Sequence, residues 1–151
     1  LTQPQLEARL QVLMGGYAAE RIVLGDVSTG AENDLKEATK LATKMVANYG
    51  MSKKLGAVYY DHEAEHAFLG HRVATESGTS DATTFAIEAE ARETLTAALA
   101  GATAAIERQR TQLDALVAAL LEHESLEQKD LVPLLGPSQH EPEADPTRAS
   151  P

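Results

Sequence analysis

Apolar residues recur along this 151-residue chain at intervals of three and four, the spacing of helices with one buried face. Leu6, Leu10, Leu13 and Met14 predict a helix from about Pro4 to Leu24, with Gly15-Gly16 expected to break or kink it and Gly25 to close it. Thr29 and Glu32 have the spacing of a capping box, which would open a second helix running to about Tyr49 and stopping at Gly50. Its stripe is Leu35, Ala38, Leu41, Ala42, Met45 and Tyr49. Leu55 to Tyr60 is short and strand-like, and the polar residues 61–78 read as loop. Ser80 or Asp81 then caps the longest helical stretch, from Ile87, Ala91 and Leu95 through Ile106, with the pattern continuing to Leu121. Ser125 and Gln128 suggest a second capping box before a short last helix, Leu126 to Leu135. Four of the six prolines fall in 137–151, where almost nothing is apolar. The expected fold is mainly α: a helical, bundle-like domain over 1–136 with at most one short strand or hairpin. A Pro-rich acidic tail, 137–151, is expected to be disordered.

Composition sharpens this reading. Hydrophobic residues make up 43% but aromatic ones only 4%, which suits helices packed through small side chains. The formal net charge of −10 argues against nucleic-acid binding, and no basic cluster favours direct contact with an anionic membrane. The absence of Cys excludes disulfides and thiolate metal sites. No apolar run is long enough to span a bilayer, so the segment is expected to be soluble. A start at Leu1 rather than Met suggests a fragment.

Asp34 is a carboxylate within an apolar stripe. At about 100° per residue, Ala38, Leu41, Met45 and Tyr49 all lie within about 60° of it on the helical wheel. Two readings stay open on this geometry. Asp34 lies in the first turn of its helix, where free amides favour negative charge. Alternatively it is a metal ligand or half of a buried ion pair, because a carboxylate on a buried face is costly without a partner.

A second candidate is His62-Glu63-Ala64-Glu65-His66, which matches H-E-x-x-H. In that pattern two imidazoles one helical turn apart hold zinc, and the Glu takes a proton from its water. Here the motif reads as a decoy. Only about two turns of helix fit between Asp61 and Gly70, too little to be stable without packing. Gly70 and His71 follow His66 by four and five residues, not the three and six of a metzincin.

Several strings together resemble the FtsH family of membrane-anchored AAA+ zinc proteases. They are Leu13-Met14-Gly15-Gly16-Tyr17-Ala18-Ala19-Glu20, Val27-Ser28-Thr29-Gly30-Ala31-Glu32-Asn33-Asp34-Leu35, Tyr49-Gly50-Met51-Ser52 and Phe68-Leu69-Gly70, with Leu120 to Leu126 near the end. The resemblance covers about Leu6 to Leu135. It implies that Asp34 is the third protein ligand of a catalytic zinc. The other two ligands and the general-base Glu would lie on an H-E-x-x-H helix upstream of these residues. It places Glu20 near the zinc, as a partner that orients a ligand His; the structural alternative is pairing with Arg9 or Arg21, or a solvated side chain. It puts His62, Glu63 and His66 in a variable charged loop, which strengthens their reading as a decoy. Tyr17 and His71 depart from basic residues common in the family.

The resemblance also implies a parent protein that degrades unfolded or membrane proteins as a homo-hexamer, from the cytoplasmic side of a membrane. ATP and magnesium would act through an ATPase module not contained in this sequence, since no Walker-type glycine loop occurs. The isolated chain is then expected to be inactive. Two further readings compete: a non-catalytic helical interaction or oligomerisation module, and a small zincin built on His62, Glu63 and His66.

Overall fold

The structure, a computed structural model, describes residues 1–61 and 80–137. Helix α1 spans Gln3–Leu24, a 3-10 turn Thr29–Ala31 leads directly into α2 (Glu32–Ala47), and α3 spans Asp81–Arg108. Helices α4 (Arg110–His123) and α5 (Gln128–Leu135) follow. The chain divides into two compact units, Leu1–Glu107 and Arg108–Pro151. The expected helical fold is borne out, and the expected strand is not formed. In place of a strand at 55–60, the described residues carry one isolated antiparallel bridge, Ser52 with Gly56. The proposed tail from 138 onward lies outside the described residues.

In the first unit, three helices meet through one face each. Leu6, Leu10, Met14 and Ala18 recur every four residues along α1 and are all buried. They pack with Ala38, Ala42 and Met45 of α2 and with Ala91, Ala98 and Ala102 of α3. Six of these ten residues are Ala, so the helices can approach closely and Leu10, fully buried, fills the space between them. This packing explains why Gly15-Gly16 does not break α1, contrary to the sequence expectation. Two helical glycines cost about 1 kcal/mol each against Ala. Burying a Leu or Met side chain returns about 1.5–3 kcal/mol, and three such residues flank the pair.

The capping signals also shifted. Thr2 rather than Pro4 opens α1, its backbone N–H donating to Gln5 Oε1 at 2.8 Å. Thr29 and Glu32 form no capping box. Ser28 caps the 3-10 turn, and the Glu32 amide donates to the Thr29 carbonyl, so the 3-10 turn itself satisfies the donors a Thr29 hydroxyl would have served. The spacing test recognises only an α-helical start.

The connection after α2 is held to both neighbouring helices. Gly50 adopts φ +64°, a conformation that turns the chain sharply out of α2, and a Cβ there would lie 3.0 Å from Ala57 Cα. The returning segment donates from the Tyr60 amide to the Ala47 carbonyl at 2.7 Å, and Asn48 Nδ2 donates to the Tyr60 carbonyl at 3.0 Å. A second small core of Val46, Ala47 and Ile87, with Leu55 and Tyr60, lies beneath. Ser52, itself buried, donates from Oγ to Glu90 Oε2 at 2.7 Å. Lys54 Nζ reaches Glu90 at 2.8 Å and Glu93 at 2.7 Å. These bonds to Lys54 and Ser52 hold the Glu90 carboxyl below its ordinary range, and Glu90 and Glu93 push Lys54 up to about 12. Ser80 begins α3 as expected, accepting from the Thr83 amide at 3.3 Å.

In the second unit the continuous helical pattern is interrupted at Gln109, so α3 and α4 are separate helices. Helix α4 closes at Glu124, whose φ of +59° is the one positive value outside glycine among the described residues. The start of α5 is displaced from the expected Ser125–Gln128 pair. Glu127 is the cap, its amide donating to Asp130 Oδ2 at 2.9 Å. An acidic pair two residues downstream met the same geometric need.

Candidate metal-ligand site at the start of the second helix

Helix α1 and the turn before α2 are joined by one side chain. Glu20, in the last two turns of α1, accepts from the Ser28 amide through Oε2 at 2.8 Å and from the Ser28 hydroxyl through Oε1 at 2.9 Å. The same hydroxyl oxygen accepts from the Gly30 amide at 3.1 Å. Neither Arg9 nor Arg21 is an ion-pair partner of Glu20; the Arg21 guanidinium instead lies 6.0 Å from the Tyr17 ring centre. Gly30 follows from this crowding. A Cβ on it would lie 3.2 Å from Ser28 Oγ and 3.6 Å from Glu20 Oε1. Ala31, buried, anchors the end of the turn.

Asp34 lies in the first turn of α2 and is half-buried. Its Oδ2 faces Gly16 of α1, where a Cβ would stand 3.8 Å away. Among the described residues Asp34 has no hydrogen-bond or ion-pair partner. The two glycine-bearing strings of the sequence therefore meet in space. Gly16 and Glu20 are one helical turn apart on α1, so one side of that helix faces both the Asp34 carboxylate and the Ser28 turn.

A catalytic zinc takes three protein ligands and keeps one position open. Among the described residues no group of three or more His, Cys, Asp or Glu could hold a metal ion. Asp34 is a donor without the rest of a set. His62, Glu63 and His66 lie outside the described residues. Two open grooves between α1 and α3, one of about 640 Å³ along Arg21, Ile22 and Leu99 and one of about 220 Å³ along Glu7, Leu10 and Gln11, include neither Asp34 nor Glu20. Sequence reasoning missed Ser28 as the partner of Glu20 and Gly16 as the neighbour of Asp34. No periodicity links residues eight or eighteen apart on different elements, and only the recurrence of both strings in one family hinted at it.

Fold and site together define a mainly helical domain that presents a lone carboxylate, not a complete ligand set. The chain belongs to peptidase family M41, whose model matches residues 1–134. It is 38% identical over 142 residues to an ATP-dependent zinc metalloprotease FtsH of Thermobaculum terrenum, covering 94% of this chain and 22% of that protein. The FtsH of Rhodococcus erythropolis is 40% identical over 142 residues, 94% of this chain and 17% of its own length. FtsH 2 of Methylacidiphilum infernorum is 44% identical over 117 residues, 78% of this chain and 18% of its own. The chain thus spans about a fifth of the length of these relatives. No helix among the described residues is long and apolar enough to cross a membrane.

Proposed function

We propose that this chain is the C-terminal part of the peptidase domain of an ATP-dependent zinc metalloendopeptidase, and that Asp34 supplies the third protein ligand of its zinc. The observation that carries this is the half-buried carboxylate in the first turn of α2, without a partner among the described residues. A carboxylate held partly out of water is costly when unpaired, and a cation at its open side would remove that cost. Two histidines and a general-base Glu, on an H-E-x-x-H helix outside this sequence, would complete the centre. Bound there, zinc would polarise the scissile carbonyl and activate water.

The residues of this chain have a supporting part in that reaction. Asp34 offers its oxygen from a helix end, and Gly16 leaves room beside it. Glu20 holds the turn from which α2 departs. The names of the relatives support an ATP-dependent parent. We extend the reading to a membrane-anchored homo-hexamer that draws unfolded or membrane proteins into a chamber, with ATP and magnesium bound by a separate ATPase module. On its own the chain is expected to cleave nothing, since one carboxylate cannot hold a catalytic zinc.

The test uses the protein that carries this chain together with its H-E-x-x-H segment. Asp34→Asn should lower bound zinc and casein cleavage by more than the ~10–100-fold typical of losing a supporting hydrogen bond at a metal site. Full zinc content and cleavage in Asp34→Asn would refute the assignment. So would zinc-dependent cleavage by the isolated chain that disappears in His62→Ala.

A further inference from the structure

The turn that launches α2 has almost no core to hold it. Val23 to Gly30 are all exposed, and Ala31 is the one buried residue between Val23 and Glu37. Yet Asp34 stands three residues beyond Ala31, and any slack in the turn would be passed to it. What ties the turn to α1 is Ser28, through which three hydrogen bonds run. Its amide and hydroxyl donate to the two oxygens of Glu20, and its hydroxyl oxygen accepts from Gly30. The hydroxyl thus uses its donor on α1 and an acceptor lone pair on the turn itself. Gly30 has no spare space on this side, so the arrangement cannot shift toward it freely.

We infer that Ser28 is a positioning residue for the metal centre: its hydroxyl, bridging Glu20 and the Gly30 amide, fixes where α2 begins and hence where the Asp34 carboxylate stands relative to α1. This rests on the reading of Asp34 as a ligand. The bridge acts on Asp34 through the backbone of the turn and touches neither metal nor substrate. An exposed tether of this kind contributes little to global stability, because its bonds compete with water. It contributes to the precision with which a donor is held, and supporting bonds of that sort change metal affinity by about 10–100-fold.

The experiment compares Ser28→Ala, Ser28→Thr and Asp34→Asn. Threonine keeps the hydroxyl, and the extended backbone at Ser28 (φ −107°, ψ 176°) suits a β-branched residue. In this chain, amide hydrogen exchange at Gly30 and Ala31 should accelerate in Ser28→Ala and stay near wild type in Ser28→Thr. In the protein that carries the H-E-x-x-H segment, titration with zinc alone should show affinity weakened ~10-fold in Ser28→Ala and restored in Ser28→Thr, with melting temperatures close together. A merely structural role would lower the melting temperature and leave affinity below it unchanged. Wild-type exchange or wild-type zinc affinity in Ser28→Ala, while Asp34→Asn loses affinity, would overturn the inference alone. Unchanged zinc affinity in Asp34→Asn would instead overturn the ligand assignment on which it stands.

Discussion

Replacing Gly15 by Ala should stabilise the protein, and the size of the effect can be worked out from the helix around it. Gly15 lies in the interior of α1, eleven residues after Pro4, with helical backbone on both sides. A Cβ added there meets nothing within 4 Å, so no packing cost opposes the change. What remains is helix propensity and the smaller entropy of the unfolded chain, together about 0.5–1 kcal/mol. For a unit of this size that corresponds to a rise in melting temperature of a few degrees. Urea titration followed by circular dichroism would measure it, with an unchanged slope showing that the states compared are the same. Gly16→Ala supplies the internal control. The same propensity gain is expected, since its methyl would stand 3.8 Å from Asp34 Oδ2, an ordinary contact distance. Destabilisation by Gly15→Ala would refute the picture of α1 as one uninterrupted helix, because a kink at the pair would demand a conformation that Ala resists.

Leu10→Ala should cost about 3–5 kcal/mol, toward the upper end for such changes, because the Ala-rich walls around Leu10 have little side chain with which to fill the void; a urea midpoint within 1 kcal/mol of wild type would show that α1 is not packed as described. Glu90 is held below its ordinary range by Lys54 and Ser52, so its contribution is present above the unfolded carboxyl value and lost as pH falls through the lower folded one. Lys54 is pushed up to about 12, so its side of the pair is complete below its ordinary value of 10.5 and lost only as pH rises through 12. Urea midpoints of wild type and Glu90→Gln should therefore differ across neutral pH and converge in acid; a gap that persists at pH 2 would show the carboxylate is not the source.

The helices were legible because their buried faces repeat in the sequence. Leu6, Leu10 and Met14 keep the spacing that burial requires, and so do Ile87, Ala91, Ala98 and Ala102. Asp34 was legible for the same reason, as a charge on an apolar arc. Capping was less so. Ser28, Glu127 and Thr2 each took a place that a nearby Thr, Ser or Pro was expected to fill, because several residues within a turn can meet the same donor and tertiary contacts choose among them. The break at Gln109 leaves no mark at all in the hydrophobic pattern, which runs on in register through Leu113. The Ser52–Glu90 bond joins residues thirty-eight apart, and no local rule reaches that far.

The two strings that announced the family have a physical reason to occur together. On α1, residues 16 and 20 lie within about 40° of each other around the helix axis, so they look in nearly one direction. The first must be small, since Asp34 Oδ2 approaches it, and the second must carry two acceptors, since Ser28 brings two donors. On the other string, Ser28 supplies both a hydroxyl and a free amide, a Cβ at Gly30 would stand a tight 3.2 Å from Ser28 Oγ, Ala31 is buried, and Asp34 follows three residues later. A side chain at Gly30 would crowd Ser28 Oγ, and without the bonds to Glu20 the turn ahead of Asp34 would be left to Ala31, the Gly30–Ser28 bond and the Glu32 amide bond to the Thr29 carbonyl. The pair of motifs is thus one device written in two places, in which the Asp34 carboxylate has no hydrogen-bond or ion-pair partner among the described residues.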